Sequence, residues 1–156
     1  MSLESVRAFL AERAPDLQVI ESEGSTATVH EAAQMHGVEP GRIAKTLAFR
    51  GPDDRAFLVV VRGDARIDNA KMKAAFNGRT KMLDPAQVLA LTGHPVGGVC
   101  PFGLVTPLPV YCDASLRAFD EVVPAAGATN SAVRLSPERL AALADGQWVD
   151  VCQPSA

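Results

Sequence analysis

Lys45 stands in the run IAKTLAFR at 43–50. If that run is a strand, its alternation puts Ile43, Lys45, Leu47 and Phe49 on one face and Ala44, Thr46, Ala48 and Arg50 on the other. An ammonium beside three large apolar side chains must snorkel to the surface or project into a cavity, because burying it unpaired is costly. Held in a cavity, it is a fixed positive charge for an anionic or carbonyl-bearing ligand. The second feature is GGVCPFG at 97–103. Paired glycines let the backbone approach a ligand and present successive N–H groups, which can form an oxyanion or phosphate nest. Pro101 and Phe102 would stiffen the far side of such a loop.

Other chemistries lack their residues. There is no GxxxxGK[ST] phosphate loop, no GxGxxG fingerprint and no GxSxG elbow. Cys100 lies inside the glycine loop with His94 near in sequence, but no recognisable partner set accompanies it, and it reads as a small packing residue. Cys100, Cys112 and Cys152 are odd in number, widely spaced and without a CxxC, which argues against a disulfide framework or zinc knuckle. His30 and His36 are six apart, so on a helix they point roughly 240° apart. No metal or other cofactor is expected.

The elements that must position these residues follow from local signals. MSLESVRAFLAERAPD is an amphipathic helix with Leu3, Val6, Phe9 and Leu10 on one side, without the basic start and apolar run of a secretory signal. LQVIES (17–22) reads as a strand. Thr28 and Glu31 form a capping box for a helix running to about His36, stopped by Gly37. IAKTLAFR and AFLVVVRG (56–63), joined by GPDD, predict a β-hairpin. Asp68 caps DNAKMKAAF, and RTKML (79–83) is extended. Asp84-Pro85 starts a helix that ends at Gly93. The stretch from 93 to 109 cannot be a long helix, and VYCD (110–113) is extended. SLRAF is a helical turn, EVVPAAG and SAVRL are strand-like, Ser136-Pro137 caps a last helix, and QWVDVC (147–152) closes the chain. Several strand pairs are too close for helical crossovers. The pattern predicts an α+β fold: a curled, mixed, largely antiparallel sheet flanked by helices.

The 156 residues, 47% hydrophobic, suit one compact domain over 1–156, since a chain this size buries roughly 70% of its unfolded surface. No apolar stretch approaches the roughly 20 residues of a membrane span, so a cytoplasmic protein without a membrane partner is expected. Net charge is −3, yet ten of the fifteen Lys and Arg lie between Arg42 and Lys81 against four acids, an asymmetry that suggests one basic face on an acidic body. Charge alone is equally met by solvated strand ends and helix faces.

Taken together, T-x-H-E-A-A…G-V-x-P-G-R-I-A-K-T-L at 28–47, FLVVVRGD at 57–64, GGVCPFG at 97–103 and AGATNSAVRLSPERLAAL at 126–143 resemble the YbaK/prolyl-tRNA synthetase editing-domain family. The pieces stand in the family's order and cover essentially the whole chain. The resemblance implies a sheet with partial barrel character. It implies hydrolysis in trans of the ester between a wrong amino acid and the 3′ adenosine of a tRNA, usually tRNA for proline, without metal or side-chain nucleophile. A water attacks, helped by the ribose hydroxyl.

On the same resemblance Lys45, Gly97 and Gly98 are the catalytic set, with Gly97 to Pro101 on the Gly-x-x-x-Pro motif that faces the aminoacyl carbonyl. Thr28, His30, Thr46, Val99, Pro101, Phe102 and Gly103 are the substrate-contacting residues. Thr28 equally reads as a helix cap and His30 as a solvated helical residue. The aspartate that some relatives carry after the late glycine is missing from GATNSAVRL, and Thr46 stands where some alanine-specific members have asparagine. Alanine, 2-aminobutyrate, serine, threonine and cysteine are the candidate amino acids, and aminoacyl-tRNA, prolyl-tRNA synthetase or an elongation factor the candidate partners. Two alternatives remain: a non-catalytic tRNA- or synthetase-binding module, or a hydrolase of another small acyl ester.

Overall fold

The computed structural model describes residues 2–154; Met1, the first residue of the expected N-terminal helix, lies outside them. Its centre is the hairpin of β2 (Ile43–Arg50) and β3 (Ala56–Arg62), with seven consecutive antiparallel pairs from Ala44↔Arg62 to Arg50↔Ala56. β3 then pairs in parallel with β5 (Val110–Asp113), and β5 with β8 (Gln147–Val149). On the opposite edge of β2, β4 (Lys81–Met82) pairs antiparallel with Phe49 and Arg50, while β6 (Val123–Pro124) pairs in parallel with Ile43 and Ala44. β1 (Ile20–Glu21) and β7 (Ser131–Ala132) form a separate antiparallel pair. The sheet is mixed, as expected, and the described strands do not close into a barrel.

Strand alternation separates two cores. Ala44, Ala48, Leu58 and Val60 face the larger one, with Val6 and Leu10 of α1 (Ser2–Arg13), Val88 of α4 (Pro85–Thr92) and Leu140 of α5 (Pro137–Ala144). Phe49, Val59 and Val61 face the smaller one, with Met72 of α3 (Asn69–Ala75) and Cys152. Leu58 to Val61 are fully buried, so this strand is sealed on both sides, which explains its unbroken apolar run. Each such side chain contributes about 1.5–3 kcal/mol of burial. A third cluster joins α2 (Val29–His36) to Ile43 and Val123.

Local chemistry sets the helix ends. The Thr28–Glu31 capping box opens α2 and Gly37, at φ +66°, closes it. Asp84 and Gln87 make a second box at α4, with Pro85 in its first turn. The late strands are shorter than the sequence pattern predicts: EVVPAAG pairs regularly only at Val123–Pro124 and SAVRL only at Ser131–Ala132, with single bridges Val122↔Leu135 and Ala125↔Ala132 beyond. Pro124 has no N–H to extend the ladder. LQVIES and QWVDVC likewise contract, to Ile20–Glu21 and Gln147–Val149.

The turn after β3 is clamped to the start of β2. A Cβ on Gly63 would lie 2.3 Å from the Pro40 carbonyl oxygen and 2.9 Å from that of Ile43, both backbone atoms. Gly63→Ala should therefore cost about 3 kcal/mol, at the upper end of overpacking losses. The check is a lowered denaturant midpoint at unchanged m-value; an unaltered midpoint would show that the turn gives way easily.

Candidate active site

A cleft of about 430 Å³ opens beside β2. Six consecutive residues, Ile43 to Ala48, line it. Side chains alternate between faces, so an unbroken run can be presented only along the strand's edge. The outer edge of β2 is indeed interrupted. β6 covers Ile43 and Ala44, and β4 covers Phe49 and Arg50, with the Leu83 N–H donating to the Ala48 carbonyl at 3.0 Å. Continuing the β4 register would set Pro85 opposite Thr46, but Pro85 carries no N–H and begins α4. Because the Ala48 carbonyl points outward, the two-residue period turns the Thr46 N–H and C=O outward too, into the gap. Thr46 Oγ1 is buried and unpartnered among the described residues.

Lys45 lines the cleft, and its Nζ donates to the Ala65 carbonyl at 2.8 Å, beyond the Gly63 turn. Burial pushes the ammonium below its ordinary pKa, Cys152 and Asp64 favour the charge, and Arg66 opposes it. Of its three donors one is engaged by Ala65, so Lys45 neither snorkels freely nor lies unpaired.

The glycine loop supplies the facing wall through Gly97 and Val99. Gly97 adopts φ +94°, and a Cβ there would meet that of Ala27 at 2.8 Å, so conformation and space both require glycine. Gly98 departs from its expected role. Its N–H donates to the Pro95 carbonyl at 2.9 Å, and its own carbonyl accepts from the Gly127 N–H at 2.9 Å. It anchors the loop and has no amide left for an oxyanion. The N–H groups of Gly97 and Val99 have no hydrogen-bond partner among the described residues.

Of the remaining expected contacts, Thr28 lines the cleft while also capping α2, its hydroxyl accepting from the Glu31 N–H at 3.1 Å. His30 is exposed and does not reach the cleft. Pro101, Phe102 and Gly103 do not reach it either. Phe102 is fully buried and stacked on Phe9 at 5.6 Å, and Gly103 is pressed against the Ser5 backbone, so this half of the motif packs α1. Cys100 is no nucleophile: burial pushes its thiol up to about 12. The His94 Nε2, 3.8 Å from Cys100 Sγ, is held by the Phe102 carbonyl at 2.7 Å.

A family model, the aminoacyl-tRNA editing domain, matches residues 23–143. The chain belongs to that family. It is 47% identical over 154 residues, 98% of each chain, to the uncharacterised protein YwhH of Bacillus subtilis (strain 168). It is 29% identical over 125 residues, 80% of this chain and 76% of the other, to EbsC of Enterococcus faecalis, proposed to be a Cys-tRNA(Pro)/Cys-tRNA(Cys) deacylase. A solved structure, described as a proposed trans-editing enzyme for prolyl tRNA synthetase, superposes with TM-score 0.90 at 38% identity over 98% of each chain.

Sequence reasoning missed several walls of the editing domain's cleft. Val88 of α4, Met82 and Val96 at the rim, Ala125, and Ser131 with Ala132 all line it. The small-residue run at 125–128 was the available signal. Small side chains there let the chain approach Gly98, whose Cβ would stand 2.9 Å from the Ala128 backbone. The basic face is smaller than the count implied. Arg42, Arg50, Arg55, Arg62 and Lys71 are ion-paired, whereas Arg66, Lys73, Arg79 and Lys81 form no ion pair among the described residues.

His94 ties the two ends of the glycine loop from a fully buried position, with Nδ1 unpartnered among the described residues. Burial lowers its pKa, and the Phe102 bond offsets that in part. Below about pH 6.5 the unfolded chain binds the proton that the folded imidazole refuses, so stability falls on acidification through that window. His36, lowered by burial and Arg134, adds in the same direction. Urea midpoints from pH 7 to 5 should fall for the wild type and fall less steeply for His94→Gln; equal slopes would remove His94 from the account.

Proposed function

We propose that this editing domain is an aminoacyl-tRNA deacylase that hydrolyses, in trans, the ester between a small non-cognate amino acid and the terminal ribose of tRNA, foremost tRNA for proline. Family membership supports editing, and the names of EbsC and of the solved relative point to mischarged tRNA for proline and to prolyl-tRNA synthetase. The observation that carries the reading is the convergence, in one apolar cleft, of the Lys45 strand with Gly97 and Val99 of the glycine loop, over fifty residues apart in the chain.

Attack on an aminoacyl ester places negative charge on the carbonyl oxygen. Gly97 and Val99 N–H groups facing it would each stabilise that charge by ~3 kcal/mol. Lys45, fixed on the Ala65 carbonyl with two donors left, holds the ribose or 3′-terminal phosphate and so fixes the ester for water attack. A base role would need a neutral amine, whereas Cys152 and Asp64 favour the charged form, and no nucleophilic side chain is required. The walls of Ala, Val, Ile, Leu and Met suit an aliphatic side chain. The hydroxyls of Thr26 and Ser131 bond to the carbonyls of Thr129 and Ala128 and are not free for a polar substrate. Thr46 Oγ1 is the one buried wall hydroxyl without a partner among the described residues, and because the rest of the wall is mostly aliphatic, alanine and 2-aminobutyrate rank ahead of serine, threonine and cysteine. One methylene is worth only about 1–3 kcal/mol, so neighbouring sizes will overlap. With few unpaired cations, affinity for tRNA alone is weak and salt-sensitive, and prolyl-tRNA synthetase or an elongation factor presents the substrate.

The test is a deacylation panel of tRNA for proline charged with alanine, 2-aminobutyrate, serine, threonine, cysteine and proline. Alanyl and 2-aminobutyryl esters should turn over fastest and prolyl-tRNA slowest. Lys45→Ala should lose about 100-fold or more of the activity. Turnover of free amino-acid esters without dependence on tRNA, or binding of tRNA without ester loss, would overturn the proposal.

A further inference from the structure

We infer that the interrupted edge of β2 is the seat of the aminoacyl group itself, which docks as a one-residue addition to the sheet, its α-ammonium on the Thr46 carbonyl and its ester carbonyl on the Thr46 N–H. This rests on the deacylase reading above and names what that site grips.

Thr46 is the one outward-facing residue of β2 between Ala44, paired to β6, and Ala48, bonded to Leu83. Outward groups recur every second residue, about 6.6–6.8 Å along a strand, so the gap accepts a single repeat. An aminoacyl ester offers that repeat: a donor on nitrogen, then Cα, then a carbonyl acceptor. Opposed residues in a hydrogen-bonded antiparallel pair exchange both N–H···O bonds, and here Thr46 can do so without disturbing any bond it makes to β3. The ammonium makes the contact to the carbonyl charge-assisted and roughly twice as strong as a neutral one. The gap is also closed at both ends, by β6 and by β4 running into Pro85, so a longer chain on the substrate nitrogen has nowhere to lie. Edge pairing thus recognises a free amino acid on the ester, whichever small side chain it carries, and rejects N-blocked or peptidyl esters.

The experiment compares wild-type kcat/KM on tRNA carrying alanyl, propionyl (no α-donor) and N-acetylalanyl groups, each divided by its spontaneous hydrolysis rate. The expected result is at least a tenfold preference for alanyl over both. Thr46→Pro is the companion variant. It deletes the outward N–H, which the sheet does not use, and proline is tolerated at such an edge. It should lower kcat/KM for alanyl-tRNA at least tenfold while thermal unfolding remains cooperative. Equal normalised rates on the three esters overturn the edge docking and leave the deacylase reading standing. No turnover of any of them overturns both. If Thr46→Pro does not fold, the ester series decides alone.

Discussion

β2 is fully paired along one edge and broken along the other, and the site exists because of that asymmetry. Its inner edge shares seven residue pairs with β3, which fixes the strand while Lys45, Thr46 and Leu47 stay half-buried. Its outer edge is covered at both ends and open at Thr46. An unsatisfied backbone group in a folded protein costs about 1–3 kcal/mol, so an unpaired stretch facing a cleft is rarely neutral. Pro85 enforces the break. It stands in the first turn of α4, where a missing N–H does no harm, and the same missing N–H ends the β4 ladder. One residue thus sets the helix start, the strand end and the mouth of the cleft.

The glycine loop divides its labour in a way its composition conceals. Gly97 faces the cleft in a conformation that only glycine adopts readily. Gly98 is internal to a turn and lets residues 127–128 approach within van der Waals distance. The residues after it pack against α1, with Phe102 against Phe9 and His94 bridging the loop ends. The loop is therefore a rigid wall, fastened at three places by core contacts. Rigidity matters here: amide donors stabilise a developing charge only when they need not reorganise to meet it.

Electrostatics is local. Half of the cations that cluster in the sequence are neutralised by carboxylates from near or distant segments, such as Arg42 by Asp120 and Lys71 by Asp150. Lys45 differs from them because its partner is a carbonyl and its charge is not cancelled at contact distance. Its position depends on the turn at Gly63, which delivers Ala65, and that turn fits only because Gly63 lacks a side chain.

Local signals determined a good deal. The capping boxes at Thr28 and Asp84, the stops at Gly37 and Gly93, the hairpin phase of Lys45 and the extent of VYCD all depend on residues within a few positions of one another, so the sequence carries them. The family motifs likewise located Lys45, Thr46, Gly97 and Val99 at one cleft. Only the tertiary structure decided the rest. That Gly98 uses its amide internally, that Phe102 and Gly103 face α1, and that His30 stays outside follow from contacts made after the loop folds back on distant segments. The gap at Thr46 is the clearest case. It is defined by where β4 and β6 stop, and those strands lie about 35 and 80 residues from β2, so no pattern within IAKTLAFR could reveal which edge of the strand would be left unpaired.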